Sequence, residues 1–384
     1  MSRSPSRWGA TTHSSRASSP SRFTRAGSLE PESYSNYCKD FGPVDLSLVV
    51  QFCRRLRTLL HDPRLRGRPV VYYSQVDEAF ATNTAFLLGA YLVLVEGWSP
   101  AVAAAPFERI EPSPFKMFRD ASELPSDFDL TIKDCLDGLA QAQGAGFFDL
   151  ESFDCEFFDA QEECGISVVC PKFIAFKGPA SGPNRPSYAH EPEMYIQPFR
   201  NAGVSDVVRL NAASTYAPQV FEDAAFQHHD MQFLDCTTPP HHIVKRFLKS
   251  ADEARGVVAV HCLAGLGRTC TLIGLWIMGK YGWGARETIA WLRIVRPGSV
   301  IGPQQHFLLA CQQAVIDVAL QEASDDVVEC EDVADDVVAS VAEEPSEPEP
   351  REEEGVSEEN LRMSTIRAEQ VTEGLARRSR NSLK

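Results

Sequence analysis

Residues 257–271 read VVAVHCLAGLGRTCT: an apolar run, a glycine-broken loop, then a run of hydroxyl and thiol side chains. The run GVVAV, 256–260, suits a strand buried on both faces. TCTLIGLWIMGKY, 269–281, is apolar nearly all round and predicts a buried helix. The loop between them therefore opens at the carboxyl end of a strand and the amino end of a helix, the ligand-binding edge of an α/β sheet. Gly265 and Gly267 let its backbone curl so that successive N–H groups converge on one point, an anion cradle. The helix dipole adds roughly half a positive charge there. Arg268 closes the cradle with a planar fork matched to two phosphate oxygens.

The same field favours the thiolate of Cys262, the reactive form of a cysteine. Leu263, Ala264, Gly265, Leu266, Gly267 and Arg268 thus form an expected phosphate-binding loop with Cys262 aimed at the phosphorus. Thr269 follows the arginine, and its hydroxyl is expected to donate to the thiolate and stabilise it as a leaving group. The pattern HCxxGxxR[ST] between a strand and a helix resembles the signature of the cysteine-dependent protein phosphatases. A merely structural cysteine would leave Arg268 and both glycines without a reason.

Cleaving a phosphate ester requires a proton for the departing oxygen, so a carboxylic acid must stand near the cradle. MQFLDCTTPPHH, 231–242, offers Asp235 at the end of an apolar run, ahead of a Thr-Thr-Pro-Pro loop and a helical stretch, HHIVKRFLKSADE. Asp230 is the competitor, expected at the far end of that strand. Downstream, RIVRPGSVIGPQQHFL, 293–308, supplies Gln304, and as second choice Gln305, to position the water that hydrolyses a phospho-cysteine. Arg296 and Ser299 are read as fixing the turn.

The chain has 384 residues with 43% hydrophobic residues, room for two domains and tails. No stretch of 18 apolar residues predicts a membrane span, and no hydrophobic leader predicts secretion. The 11 cysteines are scattered without a CxxC pair, so neither a disulfide framework nor a metal site is expected. No cofactor is called for, and a reducing compartment is the natural reading. The stretch 322–359 carries 17 acids and one base, which equals the net charge of −16 of the whole chain. The remainder is balanced, so no nucleic-acid surface is expected.

Residues 1–33 read as a disordered Ser/Arg-rich tail, whose composition a transit peptide shares. It contains SPSR twice, making Ser4 and Ser19 candidate sites for a proline-directed kinase. Residues 322–384 read as an acidic and then basic tail. Between the tails, VVYY (70–73) running into TAFLLGAYLVLVEGW (84–98) echoes VVAV (257–260) running into TCTLIGLWIMGKYGW (269–283) at an offset of 185. Two units of related α/β build follow: 34–177 and a catalytic 193–321, joined by a Pro/Gly-rich linker at 178–192. At that offset Asp77 stands opposite Cys262 and Asn83 opposite Arg268, so the first unit has neither nucleophile nor clamp.

AVHCLAGLGRTCTLIGLWIM, ETIAWLRIVRPGSVIGPQQHFL, FLDCTTP, LTIKDCLDGL, GFFDLESFD and YCKDFGPVDLSLVV together resemble the cell-division-cycle-fourteen dual-specificity phosphatases over about residues 34–315. The resemblance implies two tandem dual-specificity-phosphatase-like α/β domains, the second catalytic. It implies Cys262 as nucleophile, Arg268 as clamp and Asp235 as general acid. It also implies phosphoprotein substrates with Ser-Pro and a basic residue downstream, marks left by cyclin-dependent kinases, and work in the nucleus and cytoplasm, including centrosome, spindle or cilium. Asp134, Glu151 and Asp154 near the junction are candidates to receive that basic residue. The sequence departs from the family at Leu263, usually Lys, and at Cys270, usually Gly, where a resolving thiol for oxidised Cys262 is one reading. The family's first strands ahead of Tyr37 are expected to be missing. A phospho-binding scaffold would show loss of the thiolate or the acid, and both are present. A phosphoinositide phosphatase needs loop cations that Leu263, Ala264, Leu266 and Gly267 do not supply.

Overall fold

Phe173–Phe176 (FIAF) and Val257–His261 (VVAVH) hold no charged residue beyond a histidine and are buried almost throughout, so neither can lie at a solvated sheet edge. The computed structural model describes residues 34–312, apart from 35, 73–76, 124 and 184, together with the backbone of Thr24–Arg25. In chain order the elements are β1 (Thr24–Arg25), α1 (Leu46–Leu60), β2 (Val70–Val71), α2 (Glu78–Leu94), α3 (Pro100–Glu108), α4 (Ile132–Gly144) and α5 (Cys155–Glu163). There follow β3 (Ile166–Cys170), β4 (Phe173–Phe176), α6 (Glu193–Asn201), β5 (Val204–Arg209), α7 (Gln219–Glu222), β6 (Gln227–Asp230), α8 (His241–Glu253), β7 (Val257–His261), α9 (Gly267–Tyr281) and α10 (Ala285–Val295). The tails beyond the described residues, with Ser4 and Ser19, lie outside this description.

One sheet runs in the order β3-β4-β7-β5-β6. β4, β7, β5 and β6 are parallel, and β3 adds an antiparallel edge. β7 is central, so the residue that follows it, Cys262, sits in the middle of the carboxyl edge with strands on both sides. α9, apolar all round, is buried as its sequence predicts, and it ends at Gly282 with φ 67°. On one sheet face, Phe176, Tyr195, Phe199, Val207 and Phe221 form a cluster of their own.

The other face continues into the first unit without a break. A single core contains Val50, Phe86 and Leu136 of the helices α1, α2 and α4 together with Ile273 and Trp291 of α9 and α10. Phe148 stacks on the Trp291 ring at 5.8 Å, and the Trp291 indole N–H donates to the Val169 carbonyl at 3.0 Å. The sequence boundary is therefore corrected. β3 and β4, assigned above to the first unit, belong to the catalytic sheet, because β4 pairs along its length with β7. The expected linker is likewise bonded in: the Gly178 N–H donates to Leu263 O at 3.0 Å and the Ser181 N–H to Thr215 O at 2.9 Å.

The internal repeat survives as strand and helix, and α2 is also followed by a left-handed glycine, Gly97 with φ 71°. The strand in this copy is only the pair Val70–Val71, bonded parallel to Thr24–Arg25 within the stretch read as a tail. Asp77 caps α2, accepting from the Ala79 and Phe80 N–H groups, and Asn83 bonds the backbone of Val44 and Gly42. The counterparts of nucleophile and clamp serve structure here.

α4 lies backbone to backbone on α10. A Cβ at Gly138 would stand 2.7 Å from Glu287 O and 3.0 Å from Trp291 N. Helix propensity alone favours alanine over glycine by roughly 1 kcal/mol, whereas overpacking costs about 1–3 kcal/mol. Gly138→Ala is expected to lower the thermal midpoint, and Gly144→Ala at the open end of the same helix, where nothing lies within 4 Å, to raise it. Equal shifts for the two would contradict the close crossing.

Candidate active site

β7 delivers His261 and Cys262, and the chain then turns through Gly265, φ 72°, into α9. A Cβ at Gly265 would stand 2.1 Å from Phe176 O, so the position admits only glycine on two counts. No side chain caps α9, which leaves its first N–H groups to the loop. Cys262 is 3% exposed, and its sulfur accepts from the Gly265 N–H at 3.3 Å.

Arg296 explains why the loop N–H groups face inward. Its buried guanidinium donates from Nε to Gly265 O at 2.7 Å and from Nη2 to Ala264 O at 3.1 Å. Its Nη1 donates to Gly165 O and the Ser167 hydroxyl. Carbonyls pinned outward orient their peptide N–H groups the other way. Read from sequence as fixing a turn, Arg296 instead holds the loop itself. Its loss should misplace the donors; a shift of order 1 Å costs about 100-fold in rate. Arg296→Met is expected to lower kcat/KM by about that factor, and Arg296→Lys, charged but without the fork, to recover little of it. Activity of Arg296→Met within a few-fold of wild type would remove this role.

Arg268 is 5% exposed, with Nη1 donating to Leu210 O at 3.1 Å and Phe233 O at 2.8 Å. Its Nε lies 3.1 Å from an Asp235 carboxylate oxygen, off-line for a hydrogen bond, so this is an ion pair alone. Clamp and acid are thus adjacent. Asp235 stands on an outward loop, its carboxylate accepting from the Cys236 N–H at 2.9 Å, with Cys236 at φ 59° and Leu234 75% exposed. Gln304 is fully buried against Gly267 and donates to Thr237 O at 3.0 Å, tying the phosphate loop to the acid loop. Gln305 instead accepts from Arg293 at 2.6 Å and donates to Gly302 O at 3.3 Å.

Three sequence readings change. The Thr269 hydroxyl is buried without a hydrogen-bond partner, so the expected bond to Cys262 is not formed. Asp230 lies at the carboxyl end of β6, on the same edge as Cys262 rather than the far one, because the strand is Gln227–Asp230 and ends before the apolar run. There it is held by Arg209 at 2.5 and 2.9 Å; burial opposes its ionisation, but the guanidinium outweighs burial and keeps the carboxyl below the usual range. Asp134, Glu151 and Asp154 all have structural partners. Asp134 closes the capping box of α4 and pairs with Arg286, Glu151 pairs with Arg57, and Asp154 caps α5. None of the three bonds to the loop.

Behind the nucleophile lies a chain that sequence reasoning missed. His261 Nδ1 bonds the Cys262 carbonyl at 3.0 Å, which only a protonated nitrogen can do. Burial pushes the imidazole down to about 3, so the ring is neutral and its Nε2 must accept, from the Tyr216 hydroxyl at 2.8 Å. Tyr216 in turn accepts from His228 Nε2 at 2.9 Å. Two histidines with one tyrosine are dispersed over 45 positions, a signal no local spacing could carry. Cys270 lies beneath the loop, its thiol 3.7 Å from Gly265 O and pushed up to about 11 by burial. Among the described residues no disulfide forms and no cluster of metal-ligating side chains occurs; no helix is long and apolar enough to cross a membrane.

A parallel sheet whose central strand feeds a cysteine into an arginine-closed loop defines the class of cysteine-dependent phosphatase folds, and comparison with known proteins narrows it. The family model for the N-terminal half of dual specificity protein phosphatases matches residues 14–142, reaching into the stretch read as a tail, and that for the dual specificity phosphatase catalytic domain matches 204–313. The chain is 41% identical over 281 residues to dual specificity protein phosphatase CDC14A of Mus musculus, covering 72% of this chain and 46% of that protein. It is 40% identical over 288 residues to CDC14C of Homo sapiens, covering 73% and 64%. It is 38% identical over 288 residues to tyrosine-protein phosphatase CDC14 of Saccharomyces cerevisiae, covering 72% and 52%. The chain belongs to the CDC14-type dual-specificity phosphatases, and it spans about half the length of the first of these relatives.

Proposed function

We propose that the chain hydrolyses phosphoserine-proline and phosphothreonine-proline, and phosphotyrosine, in proteins, reversing cyclin-dependent kinase phosphorylation in cell-cycle control. The observation that carries this reading is the Cys262 sulfur under the Gly265 N–H, in a loop closed by buried Arg268 with Asp235 3.1 Å from its Nε. In the first step the Cys262 thiolate attacks phosphorus; an S–P bond forms as the P–O ester bond breaks, and Asp235 gives its proton to the departing oxygen. The loop N–H groups and the Arg268 fork hold the equatorial oxygens. In the second step water attacks the phospho-cysteine, its proton passing to the Asp235 carboxylate. The S–P bond breaks, releasing phosphate and the thiolate. Gln304, fixed between the two loops, positions that water.

A basic residue downstream of the phosphoserine would meet the acids near the junction, Asp134, Glu151 and Asp154, to which the structure adds Glu162 of α5, lining the narrow cleft beside Ala264. The acidic run CEFFDAQEE was the signal for it. On its similarity to the CDC14-type phosphatases alone, we propose that the protein works in nucleus and cytoplasm, with imaging of the tagged full chain as the check. The enzymatic test compares a phosphoserine-Pro-x-Lys peptide with its Pro→Ala and Lys→Ala versions. Turnover should be strong for the first and weak for both controls. Equal turnover of all three would overturn the substrate assignment, and binding of the peptide without turnover would make the chain a phosphoprotein-binding scaffold.

A further inference from the structure

The phosphate loop carries no cation of its own except Arg268, already faced by Asp235, and Arg296 donates to groups on the loop's outer side. A further cation beside the loop is Lys177, directly after β4 and in one cleft with Ala264 and Leu266. Its backbone is fixed on both sides: its N–H donates to Gly165 O at 2.9 Å, and its carbonyl accepts from the Tyr195 hydroxyl at 3.0 Å. The next residue, Gly178, donates to Leu263 O at 3.0 Å, so the root of Lys177 is registered to the loop. The side chain is 6% exposed and lines one cleft with Glu162, Ala264 and Arg296.

Among the described residues no carboxylate pairs with the Lys177 ammonium; it lies over the Tyr188 ring, 5.2 Å from its centroid. Of the groups packed around it, Arg296 repels it, and burial and then Lys177 lower the His190 imidazole below its usual value. Arg185 is bound to Glu191, and Glu162 of α5 lines the same cleft with interactions of its own and no ion pair to Lys177. Burying an ammonium without a partner is costly, and a methionine of the same length would fill the space without that cost. The arrangement makes physical sense if an anion completes it.

We propose that Lys177 is a positioning residue for anion capture, its ammonium supplying from β4 the positive charge that Leu263 does not supply from within the loop. The inference rests on the phosphatase reading insofar as the anion is a phosphoryl group. Burial, and then Arg296, push Lys177 down to about 8, so its charge is present below that pH and is lost above it. Anion affinity should follow the same course.

The test is calorimetric binding of tungstate, an oxyanion of phosphate shape, to the full chain between about pH 6.5 and pH 9, with p-nitrophenyl phosphate turnover measured in parallel. Lys177→Met is expected to weaken binding about fivefold near neutral pH, the size of a single partly screened charge, with kcat nearly unchanged and KM raised. Lys177→Arg should bind as tightly as wild type near neutral pH and keep that affinity to about pH 9, where wild type weakens. Leu263→Lys placed in the Lys177→Met chain should restore affinity, which a purely structural role of Lys177 would not allow. Unchanged binding by Lys177→Met, or identical pH courses for wild type and Lys177→Arg, overturns the proposal. If Lys177→Met does not fold, the arginine variant decides alone. A wild type that binds tungstate without turning over substrate overturns the phosphatase reading and leaves Lys177 in place; one that binds no tungstate overturns both.

Discussion

Cys262→Ser should lower turnover by at least about 10⁴-fold while the protein still folds and binds phosphopeptide, since removing the nucleophile of a concerted site leaves only what positioning and charge supply. The loop that receives the phosphoryl group is built by Gly265, Gly267, Arg268 and Arg296, none of which needs the sulfur. The serine hydroxyl can still accept from the Gly265 N–H. What it lacks is a stable anionic form in this field, because no general base touches the position: the neighbouring His261 has both ring nitrogens engaged, with the Cys262 carbonyl and with Tyr216. Single-turnover assays with a phosphopeptide, beside a binding titration of the same variant, measure both halves. Residual activity within about 100-fold of wild type would mean that another group attacks phosphorus.

Asp235→Asn comes next in size, a loss of about 10² to 10⁴ expected for removal of a positioned general acid. The loss should depend on the leaving group. A serine alkoxide needs the proton as the P–O bond breaks; p-nitrophenolate leaves without it, so its turnover should suffer far less in the first step. The ratio of the two rates distinguishes an acid from a residue that merely orders Arg268. Asp230→Asn provides the contrast. It frees the fully buried Arg209 from a bidentate pair and should act on stability, with the two substrates affected alike. A leaving-group dependence in Asp230→Asn and none in Asp235→Asn would reverse the assignment.

The loop was legible because its chemistry is local. A strand, two glycines, a cysteine and an arginine within fifteen positions mark a cradle, although Arg296 is needed to hold it, and the helix HHIVKRFLKSADE stands as its apolar spacing predicts. Asp230 was misplaced because a strand of four residues, exposed at both ends, has no alternation to mark where it stops. The partners of Asp134, Glu151 and Asp154 were not legible, because a sequence does not show which helix they cap or which arginine they face. The same limit hid Arg296, whose four acceptors come from two segments up to 131 positions away.

The sequence by itself determined which groups meet at the centre, the Cys262 thiol, the Arg268 guanidinium and the Asp235 carboxyl, because each is placed by residue type and by neighbours a few positions off. Only the tertiary structure decided how that centre is held. β3 and β4 join the catalytic sheet across the expected boundary, α4 seats Gly138 on the backbone of α10, and Arg296 holds the loop from the end of α10, with Lys177 lining the same cleft. Those contacts are set by where buried surfaces meet, which depends on the whole chain at once and on no stretch of it.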